Sequence, residues 1–259
     1  MTLLEPGIRH DPPVTPPPQS PDFRQNALAT IIRHRFSITL SLVLLALTVI
    51  TQQVLVMGPL VSLDYAIHNL RFDLRFPQFY DAMLYLVMIG QRGPTAIVAL
   101  IIAGVLARRR GTWRPLLLLG FALLALNGVV GAAKLSIGRA LPADNTAAVF
   151  VSNGIIFPSG HAANVVVTWG IAAYLLTRYG PARRYDTGII ITTAASLIVG
   201  IGSIYLDTHW TTDILAGWLA GVAILMITIH LDQRFPVARP KHRAPTVTNR
   251  GEERIPAHR

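Results

Sequence analysis

The chain has 259 residues, of which 52% are hydrophobic and only 14% charged, and its mean hydropathy is +0.47. Soluble domains carry about 25% charged residues, so this composition argues against a water-soluble globule. There is no cysteine, which rules out disulfide frameworks, thiolate zinc sites and cysteine nucleophiles, and the net charge is +10.

Seven of the 18 prolines fall within the first 21 positions, and residues 1–35 read as a disordered Pro-rich tail that cannot bury a core. A bilayer-crossing helix needs about 20 apolar residues. The run Phe36 to Gly58 supplies the first, an uncleaved anchor because it starts too late and is too long for a signal peptide. Gln91-Arg92-Gly93-Pro94 breaks the next apolar region, leaving Asp81 to Gly90 as a helix at the outer surface and Pro94 to Ala107 as a short second span. Further spans are expected from about Pro115 to Lys134, His161 to Thr177, Thr187 to Tyr205 and Thr211 to His230. The expected fold class is therefore all-α, a polytopic membrane helical bundle with six transmembrane helices over residues 36–231. A basic, disordered tail is expected at 232–259.

The basic residues sit between apolar runs, so their excess reads as membrane topology and not as a nucleic-acid surface. Four Lys or Arg precede the first span, four follow the second (Arg108, Arg109, Arg110, Arg114), three follow the fourth and seven lie from Arg234 onward. Eighteen of the 23 thus share one face, which the bias of cytoplasmic loops toward Lys and Arg makes the cytoplasmic one. Both termini are expected there, with 59–92, 139–160 and 204–210 facing outward.

Three outward segments concentrate polar groups. The first reads Lys134-Leu-Ser-Ile-Gly-Arg139-Ala-Leu141-Pro142. Its two cations suit an anion, and equally suit snorkelling to lipid headgroups. In the second, Pro158-Ser159-Gly160-His161, Ser159 is a good N-cap and Gly160 admits close approach to the backbone. A helix start of that kind offers free N–H groups and the positive dipole end to a phosphate oxygen; an ordinary capped start has the same sequence. In the third, His209 and Asp213 are four apart at a helix start and share a face. A carboxylate on one imidazole nitrogen fixes the tautomer and frees the other for attack.

Together the segments resemble the type 2 phosphatidic acid phosphatase (PAP2) superfamily, which includes the vanadium haloperoxidases and whose motifs read KxxxxxxRP, PSGH and SRxxxxxHxxxD. The order is the same, residues 158–161 match the second motif fully, His209 and Asp213 match the third, and Lys134 and Pro142 match the first. Tyr205-Leu206 and Leu215-Ala216-Gly217 are similar to the membrane branch. The resemblance implies a PAP2-like fold in which His209 attacks phosphorus to form a phosphohistidine, Asp213 orients it, and His161 protonates the leaving group. Lys134 and the backbone of Ser159 and Gly160 would hold phosphoryl oxygens. No metal or other cofactor is implied.

This chain departs from the family at two places: Leu141 stands where the first motif has arginine, and Ser203 where the third does. Each lost transition-state donor typically costs about 10²–10³ in rate. Arg139, two residues before Leu141, is the expected replacement phosphate-binding residue, and the Ser203 hydroxyl a further donor. Asp207, close before His209, is an anion where phosphate should go. The expected activity is hydrolysis of a lipid phosphate or diphosphate drawn sideways from the bilayer. Polyprenyl diphosphate, phosphatidic acid and phosphatidylglycerophosphate are the candidate classes, and the outer face of a plasma membrane is the expected location. The alternatives are a phosphotransferase with a lipid or sugar hydroxyl as acceptor, and a lipid-binding PAP2-fold protein that has lost catalysis. A haloperoxidase is disfavoured by the spans and the missing arginines.

Overall fold

A computed structural model of the chain describes residues 23–182 and 184–235. Most of the two expected tails, 1–22 and 236–259, therefore lies outside the described residues. The chain divides into two compact units, residues 1–41 and 42–259. The described part of the first is helical throughout. The second holds the bundle and the polar segments.

Nine α-helices appear among the described residues: α1 (Phe23–Leu55), α2 (Pro59–His68), α3 (Phe72–Arg75), α4 (Tyr80–Val87), α5 (Arg92–Arg110), α6 (Arg114–Ile137), α7 (Gly160–Arg178), α8 (Tyr185–Tyr205) and α9 (Thr211–Gln233). Every expected apolar run is a helix, and α4 with its 3₁₀ turn occupies the stretch expected at the surface. Helices α2 and α3 lie within the expected outward segment 59–92, where apolar runs of bilayer length are absent and gave no sign of them.

The helix ends follow from local chemistry. Pro59 and Pro115 open α2 and α6, where a missing N–H costs nothing. Helix α5 closes on Gly111 with φ 63°, after Arg108, Arg109 and Arg110 have placed positive charge at the negative end of its dipole. Gly138 ends α6 with φ 54°, and a Cβ there would lie 2.9 Å from the carbonyl oxygen of Val151. That left-handed turn reverses the chain and sends Arg139 into the interior, where it is wholly buried.

Helix α7 is the centre, packed against α5, α6, α8 and α9. Its apolar face joins Ala163, Val167, Ile171 and Leu175 to Ala103, Leu126 and Ile224 of neighbouring helices. Close contact with α9 depends on Gly217 and Gly221, spaced i,i+4 on the facing stripe. A Cβ on Gly217 would meet the Ser159 carbonyl oxygen at 2.5 Å, which no rotamer relieves. Gly217→Val therefore drives α9 off the 158–161 turn: a fall in the detergent melting temperature of several degrees and at least a ~10-fold loss of turnover are expected, measured together on purified protein.

At its far end α9 is tied down by buried Asp232, which accepts from the hydroxyls of Tyr174 (2.7 Å) and Tyr179 (2.8 Å) and pairs with Arg114 at 2.8 Å. Elsewhere large apolar side chains face outward, among them Leu124, Leu135 and Ile190. Hydrocarbon is the solvent that suits such a surface. Four helical segments are long and apolar enough to cross a membrane (His34–Leu55, Arg114–Asp144, Tyr185–Tyr205 and Thr211–Gln233). The pair 77–90 and 92–110, bent by 45°, makes a fifth if counted as one span. The expected six is thus not reached by length and apolarity. Helix α7 falls short because it carries His161, Asn164 and Thr168 within its 19 residues and is enclosed by protein, so it need not be apolar on every face.

Candidate active site

The three polar segments meet at the starts of α7 and α9. Ser159 is fully buried, and its side chain accepts from the Ala162 N–H at 3.3 Å, capping α7 as its residue type leads one to expect. Its own N–H donates to the Asp213 carbonyl at 2.9 Å, so the turn is stitched to α9 and that amide is already used. The next two amides, of Gly160 and His161, lie in the first turn and have no intrahelical acceptor. They are the donors that the α7 start can offer an anion.

His209 precedes α9 by two residues. Its Nδ1 lies 3.4 Å from Asp213 Oδ2, the contact expected from the i,i+4 spacing, and the same oxygen accepts from the Trp210 N–H at 3.0 Å. With Nδ1 facing a carboxylate, the assigned tautomer carries its hydrogen there and leaves Nε2 with a free lone pair. The His209 side chain keeps 11% of its surface accessible, whereas Asp213 is fully buried.

Asp213 is held from behind. Arg139 Nη1 donates to Asp213 Oδ1 at 2.5 Å and to the Thr212 hydroxyl at 2.7 Å, while Nη2 donates to Asp64 Oδ2 at 2.7 Å. Asp64, on α2, also accepts from the Thr212 hydroxyl at 2.6 Å and the Thr212 N–H at 2.9 Å. The guanidinium lies over the Trp210 ring, 5.5 Å from its centroid, and Trp210 Nε1 donates to the Ala140 carbonyl at 3.0 Å. The result is a buried chain Asp64–Arg139–Asp213–His209. Two carboxylates share one guanidinium, and burial pushes the Asp64 carboxyl upward against the hydrogen bonds from Thr212 and Arg139.

This placement differs from the one expected for Arg139. Both its terminal nitrogens are committed to Asp64, Thr212 and Asp213, and the side chain has no exposed surface. Ser203 likewise offers nothing: it is buried, and its hydroxyl donates to the Val199 carbonyl of its own helix at 2.7 Å. Leu141 is exposed and leads into a 3₁₀ turn. Asp207 lies 2.7 Å from His68 Nδ1, so that carboxylate has a ring nitrogen beside it.

Cationic side chains gather at the α7 start. Arg92 and Lys134 both stand beside the first turn of α7, which carries His161. A Cβ built on Gly160 would lie 2.8 Å from Arg92 Nη2 and 3.8 Å from Lys134 Cε. Lys134 also donates to the Ile155 carbonyl, which holds its ammonium above the turn. Neither Arg92, the first residue of α5, nor Asp64 stands in any of the three sequence segments. Among the described residues no three His, Asp or Glu side chains are grouped to hold a metal ion.

The PAP2 superfamily model matches residues 115–236, which contain all three motif segments. Over that stretch the chain is similar to the PAP2 superfamily. Phosphatidylglycerophosphatase B of Bacillus subtilis is 28% identical over 185 residues, covering 70% of this chain and 88% of the relative. An undecaprenyl-diphosphatase of Sulfolobus acidocaldarius is 31% identical over 83 residues, or 32% of this chain and 36% of that protein. The crystal structure of a transmembrane PAP2-type phosphatidylglycerolphosphate phosphatase from Bacillus subtilis shares the fold, with a TM-score of 0.67 and 24% identity, covering 77% of this chain and 98% of the other. Within the PAP2 framework the two imidazoles, Asp213 and Lys134 occupy motif positions, whereas Arg92 belongs to none of the three motifs.

Proposed function

We propose that this chain is a membrane lipid phosphatase that hydrolyses a lipid phosphate or diphosphate through a phosphohistidine at His209. The observation that carries the reading is the carboxylate-held His209, together with Lys134 beside an α7 start that carries His161 and offers the amides of Gly160 and His161. His209 Nε2 attacks phosphorus, forming a P–N bond as the P–O bond to the leaving group breaks, and His161 delivers a proton to the departing oxygen. The lipid alcohol, or the lipid monophosphate when the substrate is a diphosphate, leaves, and neutral His161 then takes a proton from water as its oxygen attacks phosphorus. The P–N bond breaks, and inorganic phosphate is released. A bound phosphoryl group brings the negative charge that makes a protonated His161 favourable beside Arg92, Lys134 and His209. Lys134 and the amides of Gly160 and His161 hold the charge that develops on the phosphoryl oxygens. Arg139 is a positioning residue: with Asp64 it holds Asp213, and thereby the tautomer of His209.

Phosphatidylglycerophosphate and undecaprenyl diphosphate, the compounds in the relatives' names, are the first substrates to try. The distribution of Lys and Arg supports an outward-facing site with both termini cytoplasmic and α7 as the sixth span. The test is phosphate release from both lipids and from phosphatidic acid by purified protein in mixed micelles. Turnover of at least one, retained in EDTA, is expected. No release from any of the three above a His209→Ala control would refute hydrolysis, and a new phosphorylated lipid without free phosphate would identify a transferase instead.

A further inference from the structure

The site has two vacant arginine positions and one arginine that sequence motifs do not account for. We propose that Arg92 is the phosphate-binding guanidinium of this enzyme, supplied from the start of α5 in place of the arginines absent at 141 and 203; this rests on the phosphatase reading above.

Three observations converge on it. The Arg92 guanidinium stands over the α7 start, where Nη2 would be only 2.8 Å from a Cβ on Gly160, and Gly160 has none. Lys134 stands at the same place, its Cε 3.8 Å from that same Cβ position, next to His161 on the first turn of α7. Among the described residues Arg92 has no carboxylate within ion-pair distance, a property it shares with exposed arginines such as Arg75 and Arg108 but not with Arg139, the other arginine near the site. A guanidinium beside a lysine and a histidine, with no anion of its own, is arranged for an anion that arrives.

The backbone around Arg92 is fixed to α7 on both sides. Asn164 Nδ2 donates to the Gly90 carbonyl at 3.0 Å and to the Thr95 hydroxyl at 2.9 Å, and Trp169 Nε1 donates to the Ile89 carbonyl at 3.1 Å. Gly90 packs so tightly that a Cβ on it would lie 3.1 Å from the His161 carbonyl oxygen. The break between α4 and α5 is therefore registered against the residue that is to protonate the leaving group. That register lets an arginine distant in sequence from the motifs serve the same phosphoryl oxygens.

The test compares wild type with Arg92→Ala, Arg92→Lys and Arg75→Ala, the last an exposed outer arginine outside the site. Two readouts are taken: kcat/KM on the lipid that wild type hydrolyses, and binding of orthovanadate followed by thermal shift. Arg92→Ala should lose ~10²–10³ in kcat/KM and bind orthovanadate at least ~10-fold more weakly. Arg92→Lys should fall between, because it keeps the charge and loses the fork, and Arg75→Ala should match wild type. Melting temperature in the absence of anion should be unchanged in Arg92→Ala, since no ion pair is broken. If Arg92→Ala matches wild type in both readouts while His209→Ala is inactive, the proposal is overturned and the phosphatase reading stands. If wild type hydrolyses nothing, that reading falls, and unequal orthovanadate binding by wild type and Arg92→Ala still assigns the anion site.

Discussion

His209→Ala is expected to abolish phosphate release, a loss of at least ~10⁴-fold, while the protein keeps the melting temperature of wild type to within a few degrees. The size reflects its proposed role: without the nucleophile, only the binding contributions of the surrounding cations and amides would remain. The folding half of the expectation comes from the structure. His209 precedes the helix, keeps accessible surface, and touches the buried network only through its 3.4 Å contact with Asp213. Asp213 retains Arg139 and the Trp210 N–H when the imidazole is gone. Steady-state phosphate release alongside a detergent melting curve checks both parts. His161→Ala should be slower than wild type but measurably active, most clearly on a diphosphate, whose leaving group needs a proton less than an alkoxide does.

Arg139→Ala is expected to be the most destabilising single change in the site, by about 3–5 kcal/mol, because it strands the buried carboxylates of Asp64 and Asp213 without their cation. Activity should fall with it, since Asp213 then no longer has a fixed orientation toward His209. Asp64→Asn makes the contrast. It leaves Arg139 paired one-to-one with Asp213, and burial already pushes the Asp64 carboxyl toward its neutral form, so the stability cost should be much smaller. Melting curves of the two variants distinguish a buried clamp from an Arg139 that binds substrate. A substrate ligand would leave stability unchanged and raise KM; a buried clamp moves stability first.

The elements and half of the site were legible in the sequence for plain reasons. Apolar runs of bilayer length announce helices, and the i,i+4 spacing of His209 and Asp213 at a helix start leaves their contact little freedom. Ser159 before Gly160 is a cap by its chemistry alone. What escaped is what tertiary packing decides. Arg92 sits in a helix break, and nothing in Gln91-Arg92-Gly93-Pro94 says that the break docks on α7; Asn164 and Gly90, from separate stretches of chain, settle that. Arg139 resembles a phosphate ligand because its neighbours in sequence are motif residues, yet the left-handed turn at Gly138 directs it inward to carboxylates. Asp64 does carry a signal: an acid within Val61-Ser62-Leu63-Asp64-Tyr65 must find a cation or lose its charge when buried. The polar residues of α7 are explained by its enclosure among α5, α6, α8 and α9, which the sequence alone does not reveal.

Trapping the covalent intermediate tests the phosphohistidine most directly. Protein mixed with a ³²P-labelled lipid phosphate for milliseconds and quenched in alkali should carry acid-labile, base-stable label mapping to the peptide that contains His209, with none in His209→Ala. Label on another residue, or undiminished phosphate release by His209→Ala, would contradict it.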